Sequence, residues 1–119
     1  MTQDGASLAE SLALLPESER LLVLSELTET EAAAIEHDWR FWARPKQLPP
    51  DGDWLTWIVR AGRGFGKTRT GAGWVHERAM ARPRWCALIA KTPADARDYM
   101  IEGPGGILLN APPSEKPLY

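Results

Sequence analysis

Three adjacent residues, Gly66, Lys67 and Thr68, have the types and order needed to hold a polyphosphate. Preceded by Ala61-Gly62-Arg63-Gly64-Phe65, they meet the phosphate-loop pattern GxxxxGK[ST] except at its first position, where Ala61 replaces glycine. The chemistry explains the spelling. Triphosphate oxygens must be met by several backbone N–H groups at once, so the loop has to wrap tightly, and Gly62, Gly64 and Gly66 keep Cβ atoms out of the way. Phe65 stands between two of these glycines and belongs to the same cradle. The positive end of a following helix would face the β-phosphate. Lys67 can reach the β- and γ-phosphates as a mobile point charge, and the Thr68 hydroxyl can ligate Mg²⁺. The ligands expected on these grounds are ATP and Mg²⁺. Arg63 either contacts the γ-phosphate or transition-state charge, which would make it catalytic beside Lys67, or points to solvent. Arg69, just after the loop, is a further candidate for the nucleotide site. Dinucleotide and protein-kinase loops of the GxGxxG type would need a third glycine at position 67, where lysine stands. The plain alternative is a flexible glycine turn with no ligand.

A loop of this kind needs an element on each side to hold it. Residues 54–59 form a short aromatic and β-branched run bounded by turn chemistry, which predicts a strand entering the loop. Residues 67–81 predict a helix ended by Arg82-Pro83. Trp85 to Ala90, an unbroken WCALIA run, predicts a second strand buried on both faces. Together they predict a right-handed βαβ unit. A further helix is expected from an N-cap at Thr92, with Pro93 at its first position, to about Ile101, then a Gly103–Gly106 turn and a possible strand at Ile107–Leu109. Gly71 and Gly73 would weaken the helix, which suggests either close packing on a sheet or indifference at a surface. Ahead of this lies a helical segment. Leu8, Leu12 and Leu15, then Leu21, Leu24 and Leu27, then Ala32, Ile35, Trp39 and Trp42 recur at helical spacing, giving two or three short helices. Pro16 suits the first turn of the second, and Thr28 with Glu31 forms a capping box that starts the third. The expected organisation is a helical lead-in over 1–44, a Pro-rich connector over 45–53, and over 54–119 the N-terminal part of an α/β, parallel-sheet P-loop NTPase domain.

Composition sets the outer bounds. The chain has 119 residues, 44% apolar and 25% charged, in the range of one globular domain rather than a coiled coil, collagen or a disordered chain. No apolar run approaches the roughly 20 residues of a membrane span, and the acidic start lacks the basic region of a signal peptide. Cys86 is the single cysteine, so it can form no internal disulfide, which fits a reducing compartment and a cytoplasmic location. Net charge is −2, yet residues 1–38 hold nine acids and one base while residues 39–119 hold seven acids and thirteen bases. A basic second half could attract the phosphates of a nucleotide or nucleic acid, or could be solvated surface. The six tryptophans fit large anchors of a core or interface. His37 and His76 match no metal spacing.

Three blocks in order, DWRFWARPKQLPPDGDW, RAGRGFGKTRTGAGWV and ALIAKTPADARDYMIEGPGGIL, resemble the N-terminal ATPase region of tailed-phage large terminase subunits, including those of prophages and gene transfer agents. The resemblance covers residues 37–119 well and the lead-in more loosely. It implies an ATP-driven motor that moves double-stranded DNA into a procapsid, working with a small terminase subunit and a portal protein in the bacterial host cytoplasm, with an oligomeric ring in the full-length protein. By position it also implies that Gln47 is the glutamine of an adenine-recognition segment, whose amide can both donate to and accept from the base. The chain departs from the family pattern in one respect that bears on turnover. Neither apolar run ends in the Asp, often followed by Glu, that holds Mg²⁺ and orients the attacking water. A chain that stops before this element is expected to bind nucleotide weakly and hydrolyse it poorly. The alternatives are a truncated remnant or an interaction module acting through its acidic helices and tryptophan surface, or another P-loop NTPase.

Overall fold

A computed structural model describes residues 5–119. Two compact units divide the chain, Met1–Leu48 and Pro49–Tyr119.

The first unit is built from short, locally capped helices. Helix α1 (Leu8–Ala13) starts at Ser7, whose Oγ accepts from the Glu10 N–H while the Glu10 carboxylate accepts from the Ser7 N–H. Helix α2 (Glu17–Ser25) follows Pro16, which occupies the cap position just ahead of the first turn. The predicted capping box opens α3 (Glu29–Glu36), with Thr28 Oγ1 accepting from the Glu31 N–H and Glu31 answering on the Thr28 N–H. The apolar face expected to run unbroken from Ala32 to Trp42 is interrupted. The Asp38 side chain caps the Arg40 N–H and begins a separate turn, α4 (Trp39–Trp42), while the Trp42 indole donates to the Ile35 carbonyl at 2.9 Å. Helices α1 and α4 pack together. A 3₁₀ turn at Pro45–Gln47 closes the unit.

The second unit contradicts the expected α/β class. Among the described residues no strand forms, and the regular structure is helical throughout. Residues 54–60, with a bend at Leu55, and residues 83–90 have no regular structure and join no ladder. The reason is that strand character needs partners. Parallel pairing is stable chiefly in sheets covered on both faces, and a lone strand pair is marginal in water. No layer covers these runs here, since Leu55 is 103% and Trp85 102% exposed, and Ile58 and Ile89 are also exposed. The WCALIA run, expected to be buried on both faces, is therefore surface. Ile107–Leu109 is not a strand either. It lies in a short helix, α7 (Ile107–Asn110), tied down by the Asn110 amide donating to the Pro104 and Gly106 carbonyls.

The centre of this unit is α5 (Lys67–Ala81), on the expected span and ended by extended Arg82 and Pro83. Thr92 caps the next helix as expected, its Oγ1 accepting from the Asp95 N–H. That helix, α6 (Pro93–Asp95), widens into a π-helical turn over Ala96–Ile101. Helix α5 packs against α7 and this wide turn. Small groups are buried in this unit: Ala72 and Gly73 on α5, Gly106 before α7 and Ala111 after it. None of the six tryptophans is buried, and Trp42 and Trp85 are exposed, so they are not the core anchors that their size suggested.

Candidate functional site

The loop 61–66 follows the irregular segment 54–60 and turns into α5. Gly64 (φ 85°) and Gly66 (φ 90°) lie in the left-handed region, where an L side chain is strained. Gly62 does not share this requirement. Its φ is ordinary, and a Cβ there would meet nothing within 4 Å. The space beside Gly62 and Gly64 is open, and Gly64 in addition supplies a left-handed backbone conformation.

Gly66 caps α5 through backbone alone. Its carbonyl receives two donors from Thr70, the N–H and the hydroxyl, both at 2.9 Å. Thr70 is 2% exposed and is the largest fully buried side chain among the described residues. It pins the exit of the loop to the first turn of the helix. Reading the loop pattern alone missed it. The signal was a threonine four residues after the capping glycine, placed to bond back to the i−4 carbonyl.

Lys67 folds back over the loop. Its Nζ donates to the Ala61 carbonyl at 2.9 Å and the Gly62 carbonyl at 2.8 Å, closing a ring from the start of the loop to the helix. It has no carboxylate partner among the described residues, so its charge is not cancelled by a neighbour. Residues 54–76 carry Arg60, Arg63, Lys67 and Arg69 and no acid. Arg63 is exposed at the turn of the loop and hydrogen-bonds to no described residue. Arg69 is half-buried, and desolvation holds its guanidinium below the usual arginine pKa. Phe65 is half-buried within the loop.

Thr68 is exposed, and its hydroxyl bonds to no described residue, which leaves both lone pairs for a ligand. A hard cation such as Mg²⁺ takes oxygen donors, keeps several waters and is completed by phosphate oxygens, so one hydroxyl beside the loop fits that chemistry. Among the described residues no group of three or more His, Cys, Asp or Glu side chains could hold a metal by itself. His76 is engaged elsewhere, its Nε2 lying 2.8 Å from the Glu115 carboxylate.

Beside the loop, Lys67 and Thr68 form one end of an open groove of about 350 Å³, continued by Ala72 and Val75 of α5 and walled by Leu88 and Met100. The Gly103–Gly106 turn comes close to the same helix start: a Cβ on Gly105 would stand 3.4 Å from the Arg69 nitrogen and from Thr68 Cγ2.

The structure thus brings Gly62, Arg63, Gly64, Phe65, Gly66, Lys67, Thr68 and Arg69 into one continuous loop and helix start. Gln47 belongs to the other unit. There it is buried, and its amide oxygen accepts from the Arg44 N–H at 3.0 Å, fastening the 3₁₀ turn. No helix among the described residues is long and apolar enough to cross a membrane. No family model, curated protein or solved structure matches the chain.

Proposed function

We propose that residues 61–69 bind the phosphates of ATP with Mg²⁺. The observation that carries the proposal is the ring closed by Lys67: two left-handed glycines turn the backbone into a 15-residue helix, and the first side chain of that helix returns its charge to the loop carbonyls without a carboxylate to neutralise it. Lys67 is held over a run of backbone at a helix N-terminus, where anions are favoured by dipole and N–H groups together. Phosphate oxygens would exchange with the two carbonyls for the ammonium protons, Thr68 would supply an oxygen to the cation, and Arg63 would add charge from the turn. The device is local. It needs the loop and the helix start, and no sheet.

The three sequence blocks support a wider proposal, that the chain is the ATP-binding part of a DNA-packaging motor in the bacterial host cytoplasm. Double-stranded DNA, a small terminase subunit and a portal protein would be the partners. Binding rather than turnover is proposed for these residues, because neither apolar run carries the terminal acid that positions water.

Titration of the chain with a fluorescent ATP analogue and Mg²⁺, compared with Lys67→Ala, tests the site. Hydrogen bonds to charged groups are each worth about 1.5–3 kcal/mol, so the variant should bind about 10- to 150-fold more weakly. Equal affinity in both proteins, or no binding in either, rejects the proposal. The DNA arm has its own readout, since duplex affinity should fall steeply with salt if several phosphates are neutralised. A flat salt response counts against it.

A further inference from the structure

We infer that Gly105 is a positioning residue for the cation at the phosphate loop: the turn that carries it seats the Thr68 methyl and so commits the Thr68 hydroxyl to one direction. The inference rests on the nucleotide reading of residues 61–69 and adds to it a residue from a distant turn of the same unit.

The first turn of α5 holds two threonines in different states. The Thr70 hydroxyl bonds back to the Gly66 carbonyl, the usual partner of a helical threonine. The Thr68 hydroxyl makes no such bond and reaches no described residue. No hydrogen bond therefore fixes its χ1, and packing of the methyl is left to do so. A Cβ on Gly105 would stand 3.4 Å from Thr68 Cγ2 and 3.5 Å from Thr68 Cβ, and the hydroxyl oxygen is not among its three nearest atoms. The methyl is the branch that meets the turn, as suits a side chain that also lines the apolar groove with Met100 and Ile107.

The turn is a fixed wall. The Gly106 N–H donates to the Gly103 carbonyl at 2.8 Å, and the Asn110 amide donates to the Pro104 and Gly106 carbonyls at 2.9 and 2.8 Å. Both ends are closely packed, since a Cβ at Gly103 would run into the Asp98 carbonyl oxygen and one at Gly106 would stand 2.5 Å from that of Ile101. Gly105 lies between them, half-buried, with φ outside the left-handed region, so its backbone does not require glycine. What the missing side chain leaves is room beside the Thr68 methyl. One added carbon fits at ordinary contact, whereas a β-branched side chain would crowd the methyl and the Arg69 nitrogen, which is also 3.4 Å from that Cβ. The placement matters because a cation completed by waters and phosphate oxygens binds a hydroxyl only in its competent rotamer, and averaging among rotamers dilutes the affinity.

The test uses the full chain, first without ligand and then with nucleotide. In the methyl-labelled chain without ligand, NMR should show a nuclear Overhauser contact from the Thr68 methyl to the Gly105 Hα protons, and three-bond couplings of a single χ1 rotamer. Gly105→Ala should keep those couplings and Gly105→Val should shift them. The second readout is the gain in affinity for a fluorescent ATP analogue when Mg²⁺ is added. Thr68→Ser keeps the hydroxyl but lacks the methyl, so the hydroxyl spreads over three staggered wells and the gain should fall about threefold. Gly105→Val should lower the gain by about threefold or more. If Gly105→Val loses helix by circular dichroism, Thr68→Ser decides this arm. Averaged Thr68 couplings or a missing contact in the wild-type chain overturn the inference alone, even where nucleotide binds. An unchanged gain in Thr68→Ser or in folded Gly105→Val also overturns it, as does a wild-type affinity that Mg²⁺ does not raise. A chain with the fixed rotamer that binds no nucleotide overturns the reading of residues 61–69, and this role with it.

Discussion

Gly62 and Gly64 form a matched pair for asking whether the loop conformation matters. Each would place a new Cβ in open space, with nothing within 4 Å, and they sit two residues apart in the same loop. They differ in backbone: Gly64 has φ 85°, while φ at Gly62 is outside the left-handed region. An alanine at 64 therefore pays only for conformation, about 1–2 kcal/mol for an L residue in the left-handed region. Alanine at 62 meets no such cost, and restricting the unfolded chain should make it neutral or stabilising by up to about 1 kcal/mol. Two measurements read the contrast. In urea unfolding, Gly64→Ala should lie about 1–2 kcal/mol below wild type and Gly62→Ala at or above it. If Gly64→Ala instead relaxes by distorting the loop, the loss moves to nucleotide affinity, where 1–2 kcal/mol is a factor of about 5–30. Equal behaviour of the two variants in both assays, or a greater loss at 62, would show that the left-handed turn does not shape this site.

Thr70→Val keeps shape but removes the buried hydroxyl bonded to the Gly66 carbonyl, which retains the Thr70 N–H; a loss of about 1 kcal/mol is expected in chemical denaturation, and no loss would mean that the hydroxyl pins nothing. Two glycine-to-alanine changes outside the loop should have opposite signs. A Cβ at Gly106 would stand 2.5 Å from the Ile101 carbonyl oxygen, a backbone atom that cannot swing aside, so Gly106→Ala should lower the thermal midpoint, costing about 1–3 kcal/mol. Gly71→Ala, exposed in α5 with nothing within 4 Å, should raise it by about 0.5–1 kcal/mol of helix stability. The Thr28 N–H and hydroxyl hold the Glu31 carboxyl below the usual carboxylate range. Because its folded pKa is depressed, the cap contributes above the unfolded value of 4.5 and is lost as pH falls through the folded value. NMR titration should place Glu31 below 4.5, and Thr28→Val, which removes the hydroxyl but keeps the N–H, should raise it part of the way; a titration unchanged by Thr28→Val would leave the backbone N–H as the sole cause.

What could be read from the sequence divides along the range of the forces involved. The span of α5, the cap at Thr92 and the box at Thr28 and Glu31 depend on residues within a turn of each other, and they appear where local chemistry puts them. The Ser7 and Glu10 box has the same spelling and was open to the same reading. Sheet formation is different. Trp54–Val59 and Trp85–Ala90 have strand composition, but a ladder is a contract between distant segments, and β-propensity measures fit to a covered pleated surface that these runs do not meet. The Ile107–Leu109 run was decided by Asn110, whose amide bonds favour a helical turn over extension. Within the loop, the pattern identified the residues but not their separate duties: it treats Gly62 and Gly64 alike, and it is silent on Thr70.

The nucleotide site is tested most directly by following backbone amides of the ¹⁵N-labelled chain by NMR while ATP and Mg²⁺ are added. Saturable shifts centred on Gly62, Gly64, Gly66, Lys67 and Thr68, absent in Lys67→Ala, are the predicted result. Shifts centred elsewhere, or a loop that does not respond at millimolar nucleotide, would contradict phosphate binding at residues 61–69.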